Sequence, residues 1–328
     1  MSLPEFSDIE AAAKRIAPWA VVTPLLESPS LNARMGTRIL LKTEPFQRTG
    51  SFKFRGACNR IQLIPEAERK RGVVAFSSGN HAQGVAAAAA LFDLPATIVM
   101  PADAPRTKIE NTRGYGANVV TYDRKREDRE AIARKIQEES GATLIKPFDD
   151  PFIVAGQGTA GLEMIRQACD AKAEISRVFV PASGGGLASG TALAFGHASP
   201  ATKVVSVEPD SYEGMALSLA AGTRTSAPAD KPSMADALQS PVPGEVPFAV
   251  AKKYLSGGVV VTDDDLARAV SYAVRVLKIV VEPGGAAGLA ALLSSKHHNR
   301  DEVVGVVLSG GNADPETIAD CCSRFPQP

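Results

Sequence analysis

The stretch RVFVPASGGGLASG, residues 177–190, joins a short β-branched run to a glycine-rich loop and then to the start of an alanine-rich segment. A buried strand that ends in such a loop and leads into a helix is the repeating unit of parallel α/β sheets. Similar apolar runs occur at residues 72–76, 96–100, 117–121, 203–207 and 303–308. The sequence therefore predicts an α/β fold with mainly parallel strands flanked by helices.

The apolar runs divide into two groups along the chain. Residues 73–143 hold three strand–helix units, so this middle block can form a small sheet by itself. The segments on either side of the block must then build a second sheet together. We expect a small domain at residues 73–143, a large domain formed by residues 1–72 and 144–328, and a cleft between them.

Composition and charge exclude several classes of protein. The chain has 328 residues, and 36 Lys and Arg residues balance 36 Asp and Glu residues. A net charge of zero provides nothing that would attract nucleic acid or an acidic membrane. The longest apolar stretches are too short to cross a bilayer, and the first residues lack the basic start of a signal peptide. The four cysteines have no metal-ligand spacing. We therefore expect a cytoplasmic protein that binds neither nucleic acid nor membranes.

Three glycine-rich loops follow predicted strands: SSGNHAQG at residues 77–84, SGGGLASG at residues 183–190 and SGGN at residues 309–312. Ligands of open parallel sheets bind outside the carboxyl ends of the strands, where such loops converge. In the second loop, consecutive backbone N–H groups lead into a helix N-terminus, which suits a phosphate group. The loop lacks the ending of a P-loop, and the sequence has no dinucleotide fingerprint. A phosphate ligand of mononucleotide size therefore fits better.

A lysine lies between two aromatic residues in GSFKFRGA, residues 50–57. Lys53 opens a predicted helix there, where partial desolvation and the positive helix end both lower the pKa of its amine and leave it nucleophilic. Taken singly, a glycine loop is common without a ligand, and most lysines are surface residues. An activated amine together with a phosphate site points to pyridoxal phosphate as the cofactor.

Five motifs in the order GSFKFRGA, SSGNHAQG, SGGGLASG, VEPGGAAGLAAL and LSGGN resemble those of the fold-type II pyridoxal-phosphate enzymes, in the branch of serine and threonine dehydratases and serine racemases. The resemblance runs from Thr23 to the loop at Ser309. It implies two open, twisted, mainly parallel sheets of the tryptophan synthase β type. It places the active site in the cleft between a cofactor-binding large domain and a mobile small domain, and it implies a homodimer.

The resemblance also implies a role for individual residues. Lys53 matches the Schiff-base lysine that also removes the α-proton, and Ser78 matches the acid or base on the opposite face of the substrate. The cofactor-binding positions are Phe52, Lys53, Asn80, Ser183, Gly184, Gly185, Gly186, Leu187, Glu282 and Ser309. The substrate-binding positions are Ser77, Ser78, Asn80, His81 and Arg129. Other interpretations stay open for three of them: Ser78 as a helix cap, Arg129 as a surface helix residue and Glu282 as a strand-end cap.

Elimination is the reaction that the resemblance favours. The hydroxyl of Ser309 would face the pyridine nitrogen and leave it largely unprotonated, which weakens the electron sink and favours rapid loss of a β-hydroxyl. We expect dehydration and deamination of L-threonine, L-serine or a related 3-hydroxy amino acid to a 2-oxo acid and ammonia. The alternatives are a racemase of serine or another amino acid, and a dehydratase of 3-hydroxyaspartate or 3-phenylserine. A non-catalytic binding protein and a nicotinamide-dependent oxidoreductase are less favoured alternatives from other classes.

A structural cation is a further implication of the resemblance. Glu208 matches the first ligand of a divalent site, but the second acidic position falls on Gly214, with Glu213 one residue early. The set of oxygen ligands that Mg²⁺ or Ca²⁺ requires is therefore incomplete. We expect no strong divalent site, and a monovalent ion or water could take its place.

Overall fold

The computed structural model describes residues 2–77, 79–104, 106–294 and 302–327, without the side chain of Thr107. Its helices are α1 Phe6–Ile16, α2 Pro29–Met35, α3 Lys53–Gln62, α4 Glu66–Arg69, α5 Asn80–Leu91, α6 Arg106–Gly114, α7 Arg129–Ser140, α8 Pro151–Asp170, α9 Gly186–Ala198, α10 Gly214–Ala221, α11 Glu245–Tyr254, α12 Asp263–Tyr272, α13 Ala287–Leu293 and α14 Pro315–Arg324. Short 3₁₀ turns lie at Glu44–Phe46, Arg48–Gly50, Asp236–Leu238 and Gly284–Ala286, and a π-helical turn lies at Ala273–Leu277. No helix in the described part of the chain is long and apolar enough to cross a membrane.

The strands form two sheets. They are β1 Leu25–Glu27, β2 Ile39–Thr43, β3 Val73–Phe76, β4 Ala96–Pro101, β5 Asn118–Tyr122, β6 Thr143–Leu144, β7 Ile175–Pro181, β8 Lys203–Pro209, β9 Leu255–Val261 and β10 Val303–Leu308. One sheet has six strands in the order β1-β2-β10-β7-β8-β9, and the other has four in the order β5-β4-β3-β6. Every neighbouring pair is parallel except β1 with β2. The predicted α/β class with two mainly parallel sheets is confirmed.

The hydrophobic core under the four-stranded sheet extends beyond the middle block of the sequence. Phe54, Ala57 and Ile61 of α3 pack in the same cluster as β3, β4 and α5. A Cβ at Gly84 would lie 3.1 Å from the carbonyl carbon of Lys53, so this glycine lets α5 lie close against the first turn of α3. The two sheets therefore meet at α3, and the division into domains at residues 72 and 144 stays a prediction.

Several helix boundaries follow from capping. The Asp128 side chain accepts a hydrogen bond from a backbone N–H of the first turn of α7, and Gly141 ends that helix with a φ of 71°. Asp150 accepts from two N–H groups of the first turn of α8. Thr262 and Asp265 form a capping box at the start of α12. Side-chain acceptors satisfy backbone donors that have no partner within the helix.

A buried ion network holds α3 in place. The Arg55 guanidinium donates to both carboxylate oxygens of Glu44, at 2.7 and 2.9 Å, and to both of Glu163, at 2.7 and 2.8 Å. The Lys42 amine donates to Glu163 at 2.8 Å. We call Lys42, Glu44, Arg55 and Glu163 the Arg55 network. It joins β2 and the turn after it to α3 and α8, and so fixes the position of the helix that begins at Lys53.

Candidate active site

Lys53 is the first residue of α3, and its side chain is half-buried. Its amine donates to the backbone carbonyl of Pro147 at 2.8 Å and lies 5.2 Å from the centre of the Phe52 ring. Burial lowers the pKa of the Lys53 amine to about 8, although the Glu282 carboxyl partly opposes the shift. Among the described residues, no carboxylate lies within ion-pair distance of the Lys53 amine. Because burial lowers its pKa, the amine loses its proton far more readily than that of an ordinary lysine.

The loop after β10 lies against the start of α3. The Phe52 N–H donates to the Ser309 carbonyl at 3.1 Å, and Ser51 forms an isolated antiparallel bridge with Gly310. A Cβ at Gly310 would overlap the Glu282 carboxyl and would crowd Ser51, so only glycine permits this close approach. These contacts bring Ser309 beside the backbone that carries Lys53. Ser309 is itself buried.

Asn80, the first residue of α5, is held by two side chains. Its amide nitrogen donates to Oε1 of Glu282 at 2.6 Å, and its amide oxygen accepts from the Asn312 amide at 2.7 Å. Asn312 also donates to the carbonyl of Thr49. This chain of hydrogen bonds fixes the orientation of the Asn80 amide and links three of the predicted motifs in space.

Glu282 is 3% exposed, and its surroundings favour the neutral carboxylic acid. Burial, followed by the nearby Asp236 carboxylate, raises the pKa of Glu282 to about 8, and the Asn80 hydrogen bond and the Lys108 and Lys53 amines only partly oppose the shift. At neutral pH the site therefore contains an uncharged carboxyl close to an amine that is easily deprotonated.

The loop after β3 presents backbone donors at the start of α5. The N-cap residue is Gly79, which has no side chain to cap the helix, and the N–H of Gly79 itself donates to the Ser77 hydroxyl. The first N–H groups of α5 have no partner within the helix, and the helix dipole makes this end positive. A carboxylate suits this position. Ser78 lies outside the described residues, so its predicted role rests on the resemblance alone.

His81 is buried in the second position of α5. Its Nε2 donates to the carbonyl of Ile145 at 2.9 Å, and its Nδ1 is shielded from solvent without a hydrogen-bond partner in the described residues. Burial, followed by the Lys53 charge, lowers the pKa of the His81 ring to about 3. The imidazole is therefore neutral, and only the backbone N–H of His81 is suited to receive a carboxylate.

The predicted phosphate loop connects β7 to α9. Gly185 precedes α9 with a φ of 94°, and a Cβ at Gly184 would overlap the ring of Phe148. Ser183 accepts the N–H of Ser240 through its hydroxyl. The helix begins at Gly186 and Leu187 without a side-chain cap, so its first N–H groups are available to an anion. Such an arrangement is a typical phosphate-binding site.

Arg129 is the first residue of α7 and is exposed. Its guanidinium lies 5.6 Å from the centre of the Phe76 ring, and Phe76 directly precedes the loop that starts at Ser77. No acidic side chain pairs with the Arg129 guanidinium in the described part of the chain. The structure thus places this predicted substrate residue beside the loop that carries the other predicted substrate residues.

Glu208, the predicted cation ligand, caps α10. Its two carboxylate oxygens accept the N–H groups of Met215 and Ala216, each at 2.8 Å, and burial raises the pKa of the carboxyl to about 7. Oε2 of Glu213 is shielded from solvent and has no hydrogen-bond partner among the described residues. Those residues contain no cluster of three or more His, Cys, Asp or Glu side chains that could hold a metal ion. A cation at Glu208 stays a prediction.

These residues fit pyridoxal phosphate. Lys53 offers an amine with a lowered pKa, and the uncapped start of α9 offers N–H groups for the phosphate. Pro147, whose carbonyl accepts from Lys53, is followed by Phe148, which lies against Gly184, so adjacent residues border both positions. The buried hydroxyl of Ser51, beside Lys53, has no partner in the described residues and is free to bind a ligand.

The sequence did not single out several residues that shape the site. Pro147 contributes a backbone carbonyl, which leaves no signal in residue type. Asn312 is the last residue of the LSGGN motif, and its side-chain amide bonds to Asn80. Its place in a recognised motif was the signal that could have marked it as a site residue. Lys108 and Asp236 form an ion pair at 2.6 Å, although 128 positions separate them in the chain.

Comparison with known proteins gives matches over most of the chain. The family described as "Pyridoxal-phosphate dependent enzyme" matches residues 16–310. An L-threo-3-hydroxyaspartate ammonia-lyase from Saccharomyces cerevisiae is 40% identical over 323 residues, which cover 98% of each chain. A serine racemase from Schizosaccharomyces pombe is 38% identical, again over 98% of each chain. The crystal structure of a T.th. threonine deaminase is 42% identical with a TM-score of 0.89, and the match covers 95% of this chain and 99% of that one.

Proposed function

The chain belongs to the pyridoxal-phosphate-dependent enzyme family, and from that premise we propose that it is an ammonia-lyase that eliminates water from a 3-hydroxy amino acid, after which hydrolysis of the resulting imine gives a 2-oxo acid and ammonia. The observation that carries the proposal is the state of Lys53. Its amine is half-buried, is hydrogen-bonded to a neutral carbonyl and has a pKa of about 8. Such an amine can hold an aldehyde cofactor and can then accept the α-proton of a substrate.

The other residues bind and orient. We propose that the N–H groups at the start of α9, with Ser183 and Gly184–Gly186, hold the phosphate of the cofactor. Asn80, fixed by Glu282 and Asn312, would orient the ring. The start of α5 and the Arg129 guanidinium would receive the substrate carboxylate. Bound pyridoxal phosphate would supply the electron sink that makes the Cα–H bond of the substrate acidic.

Among 3-hydroxy amino acids we favour L-threo-3-hydroxyaspartate over L-threonine and L-serine. Two relatives with this printed activity, from Saccharomyces cerevisiae and a Pseudomonas species, are 40% and 43% identical over nearly the whole chain. A dicarboxylic substrate needs positive groups for two carboxylates, and we propose Arg129 of α7 and Lys108 of α6 for them. L-Threonine remains the alternative, since an L-threonine ammonia-lyase from Thermotoga maritima is 42% identical over 95% of this chain.

The test is an assay of the purified holoenzyme for 2-oxo acid release and for enantiomer exchange. The substrates are L-threo-3-hydroxyaspartate, L-threonine, L-serine and D-serine. We expect the fastest release of 2-oxo acid and ammonia from L-threo-3-hydroxyaspartate. Faster release from threonine or serine would keep the lyase and reject the preferred substrate. Enantiomer exchange without 2-oxo acid would reject the lyase.

A racemase is the second candidate, because serine racemases are 38% to 39% identical to this chain. Racemisation needs proton transfer on both faces of the α-carbon, and we propose Ser78 for the face opposite Lys53. Ser78→Ala should then suppress enantiomer exchange more than 2-oxo acid release from the L-substrate. Equal loss of both activities would contradict a dedicated second base.

A further inference from the structure

Lys108 lies on α6, which packs with the core of the four-stranded sheet, and it contacts a 3₁₀ turn that packs with the core of the six-stranded sheet. Its amine lies 2.6 Å from Oδ2 of Asp236, the first residue of a 3₁₀ turn. That turn packs against the segment after Glu282, because a Cβ at Gly284 would lie 3.1 Å from Cγ of Leu238. Helix α6 therefore places the Lys108 amine next to the 3₁₀ turn that packs against the segment after Glu282.

The Lys108 amine is a mostly buried cation with a partner that is open to water. Its side chain is 12% exposed, whereas the side chain of Asp236 is 54% exposed. Burial alone would lower the pKa of Lys108, but Asp236, then Glu282 and Asp314, outweigh it and raise the pKa. The amine is thus protonated at neutral pH and has three N–H donors, of which Asp236 accepts one.

The positions of the two cations suit a substrate with two carboxylates. Arg129 lies beside Phe76, at the loop that precedes α5, where the α-carboxylate is proposed to bind. Lys108 lies on the other side, where its charge acts on Glu282, the same carboxyl that acts on Lys53. Binding of a second carboxylate at Lys108 requires that this group extend from the reacting Cα toward Glu282, the carboxyl that the charges of Lys108 and Lys53 both influence. Asp236 is exposed enough to turn into water and leave the amine to it.

We propose that Lys108 binds the β-carboxylate of the substrate and so selects dicarboxylic over monocarboxylic 3-hydroxy amino acids. The proposal rests on the proposed function, since it concerns the substrate of the same site. Asp236 holds the amine in place when no substrate is bound and is displaced by the incoming carboxylate. The exchange replaces one carboxylate on Lys108 by another, so no buried charge is left unpaired.

The test compares Lys108→Met, Lys108→Arg and Asp236→Asn in the holoenzyme. Arg106→Met is the matched control, because Arg106 lies on the same helix with a side chain that is 91% exposed and paired with Glu110. The first readout is kcat/KM for L-threo-3-hydroxyaspartate and for L-serine. We expect Lys108→Met to lose about 10- to 100-fold on the dicarboxylate, mainly through KM, with less than about 3-fold on L-serine. Lys108→Arg should restore part of the loss.

The second readout is binding without turnover. L-Aspartate and L-asparagine have nearly the same shape and no β-hydroxyl, and they differ in one negative charge. Their binding is followed by the change in the visible absorption of the bound cofactor. We expect the parent protein to bind L-aspartate more tightly than L-asparagine, and Lys108→Met to lose this preference. Asp236→Asn should keep or strengthen it, because it removes the competing carboxylate.

Three results would overturn the proposal. One is a parent protein with no preference for L-aspartate over L-asparagine. Another is a Lys108→Met variant that retains the preference. The third is an equal loss on all substrates in both Lys108→Met and Asp236→Asn, which would mark a purely structural ion pair. If no substrate releases 2-oxo acid but Lys108→Met still abolishes the preference for L-aspartate, the proposed function fails and the role of Lys108 stands.

Discussion

Two groups of buried or half-buried ionisable side chains lie on opposite sides of α3, and their charges are paired to different degrees. On one side, the Arg55 network pairs every charge. Burial alone would lower the pKa of Arg55, but Glu44 and Glu163 outweigh it and raise the pKa, so the cation is permanent. On the other side, burial lowers the pKa of Lys53 and raises the pKa of Glu282, each to about 8. Arg55 and Lys53 are two residues apart on one helix, so their side chains point in different directions.

The difference shows how one helix can serve both structure and chemistry. A buried charge with hydrogen-bonded partners of opposite sign keeps its charge and fixes the elements that carry it. A buried group without such partners changes its pKa and can gain or lose a proton near neutral pH. The paired network fixes the backbone of α3, while the poorly paired amine at its first residue stays free to react.

The largest expected effect is on activity, from Lys53→Ala. Without the amine, the protein has no side chain to hold the cofactor covalently or to accept the α-proton, so we expect activity to fall by more than about 10³-fold. The visible absorption of the lysine-bound cofactor should disappear as well. Lys53→Arg should be equally inactive, because a guanidinium keeps the positive charge but does not lose a proton in proteins.

Lys70→Ala is the control for this pair, since Lys70 is exposed in the segment after α4. It should leave activity and absorption unchanged. Substantial activity in Lys53→Ala would contradict the assignment of the reacting amine. Activity in Lys53→Arg alone would show that the charge of residue 53, and not the lability of its proton, is what the site requires.

Breaking the paired side of α3 should reduce stability. Arg55→Met leaves Glu44 fully buried and Glu163 mostly buried, and among the described residues the cation that stays paired with Glu163 is Lys42. Removing one partner of a buried ion pair costs about 3–5 kcal/mol, because the other charge stays behind in a low-dielectric environment. We expect the free energy of unfolding in urea to fall by about this amount. Arg55→Lys should recover only part of it, since an amine cannot bind two carboxylates in the forked geometry.

A loss below about 1 kcal/mol in Arg55→Met would show that the network contributes little to stability. In the folded variant, the pKa of Lys53 should stay near 8, because burial and Glu282 set that value. A large change in that pKa would mean that the two sides of α3 are coupled electrostatically, which would break the comparison.

On the side of α3 that carries Lys53, Glu282→Gln should change the pH dependence of cofactor uptake. The neutral Lys53 amine is the form that takes up an aldehyde, so uptake of pyridoxal phosphate by the cofactor-free protein should become faster as pH rises through about 8. Glu282 ionises in the same range, at a pKa of about 8, and its carboxylate then opposes the lowering of the Lys53 pKa. Glutamine removes that charge and can still accept the Asn80 hydrogen bond, so the midpoint of the pH profile should move to lower pH. The rate is followed by the visible absorption of the bound cofactor.

A lysine peptide is the control for the Glu282→Gln profile. Its amine has a pKa of about 10.4, so its reaction with pyridoxal phosphate should rise at higher pH than that of the protein. An unchanged midpoint in Glu282→Gln would mean that the Glu282 carboxyl does not influence Lys53. A midpoint at higher pH would contradict the sign of the interaction.

Much of the fold could be predicted from the sequence, because apolar runs and glycine loops mark strands and their ends. The predicted strands at residues 72–76, 96–100 and 303–308 are present as β3, β4 and β10. The strand β9, Leu255–Val261, was not predicted, because Ser256, Gly257 and Gly258 follow its first residue and glycine is depleted in strands. The two-residue strand β6 is too short to leave a pattern.

The candidate site was predictable where a motif carries a distinctive side chain. Lys53, Asn80, Glu282 and Ser309 come from separate motifs, and the structure brings them together. Their roles stay predictions. Contacts made by the backbone, such as the Pro147 carbonyl at Lys53, have no residue-type signal. Long-range pairs such as Lys108 and Asp236 depend on the whole fold, and the capping role of Glu208 depends on where α10 starts.

The smallest expected effect tests whether burial, more than pairing itself, makes the Arg55 network strong. Arg38 pairs with Glu27 at 3.0 Å, with side chains 35% and 37% exposed. Arg38→Met should lower the free energy of unfolding by less than about 1 kcal/mol at low salt, and by less still at high salt. The hydrogen bond from Arg38 is the main cause that lowers the pKa of Glu27, so this contribution is present above the ordinary carboxyl pKa and disappears as pH falls through the lowered value. Urea unfolding at neutral and acidic pH measures the difference. A loss as large as that of Arg55→Met would show that pairing, independent of burial, sets the stability of these ion pairs.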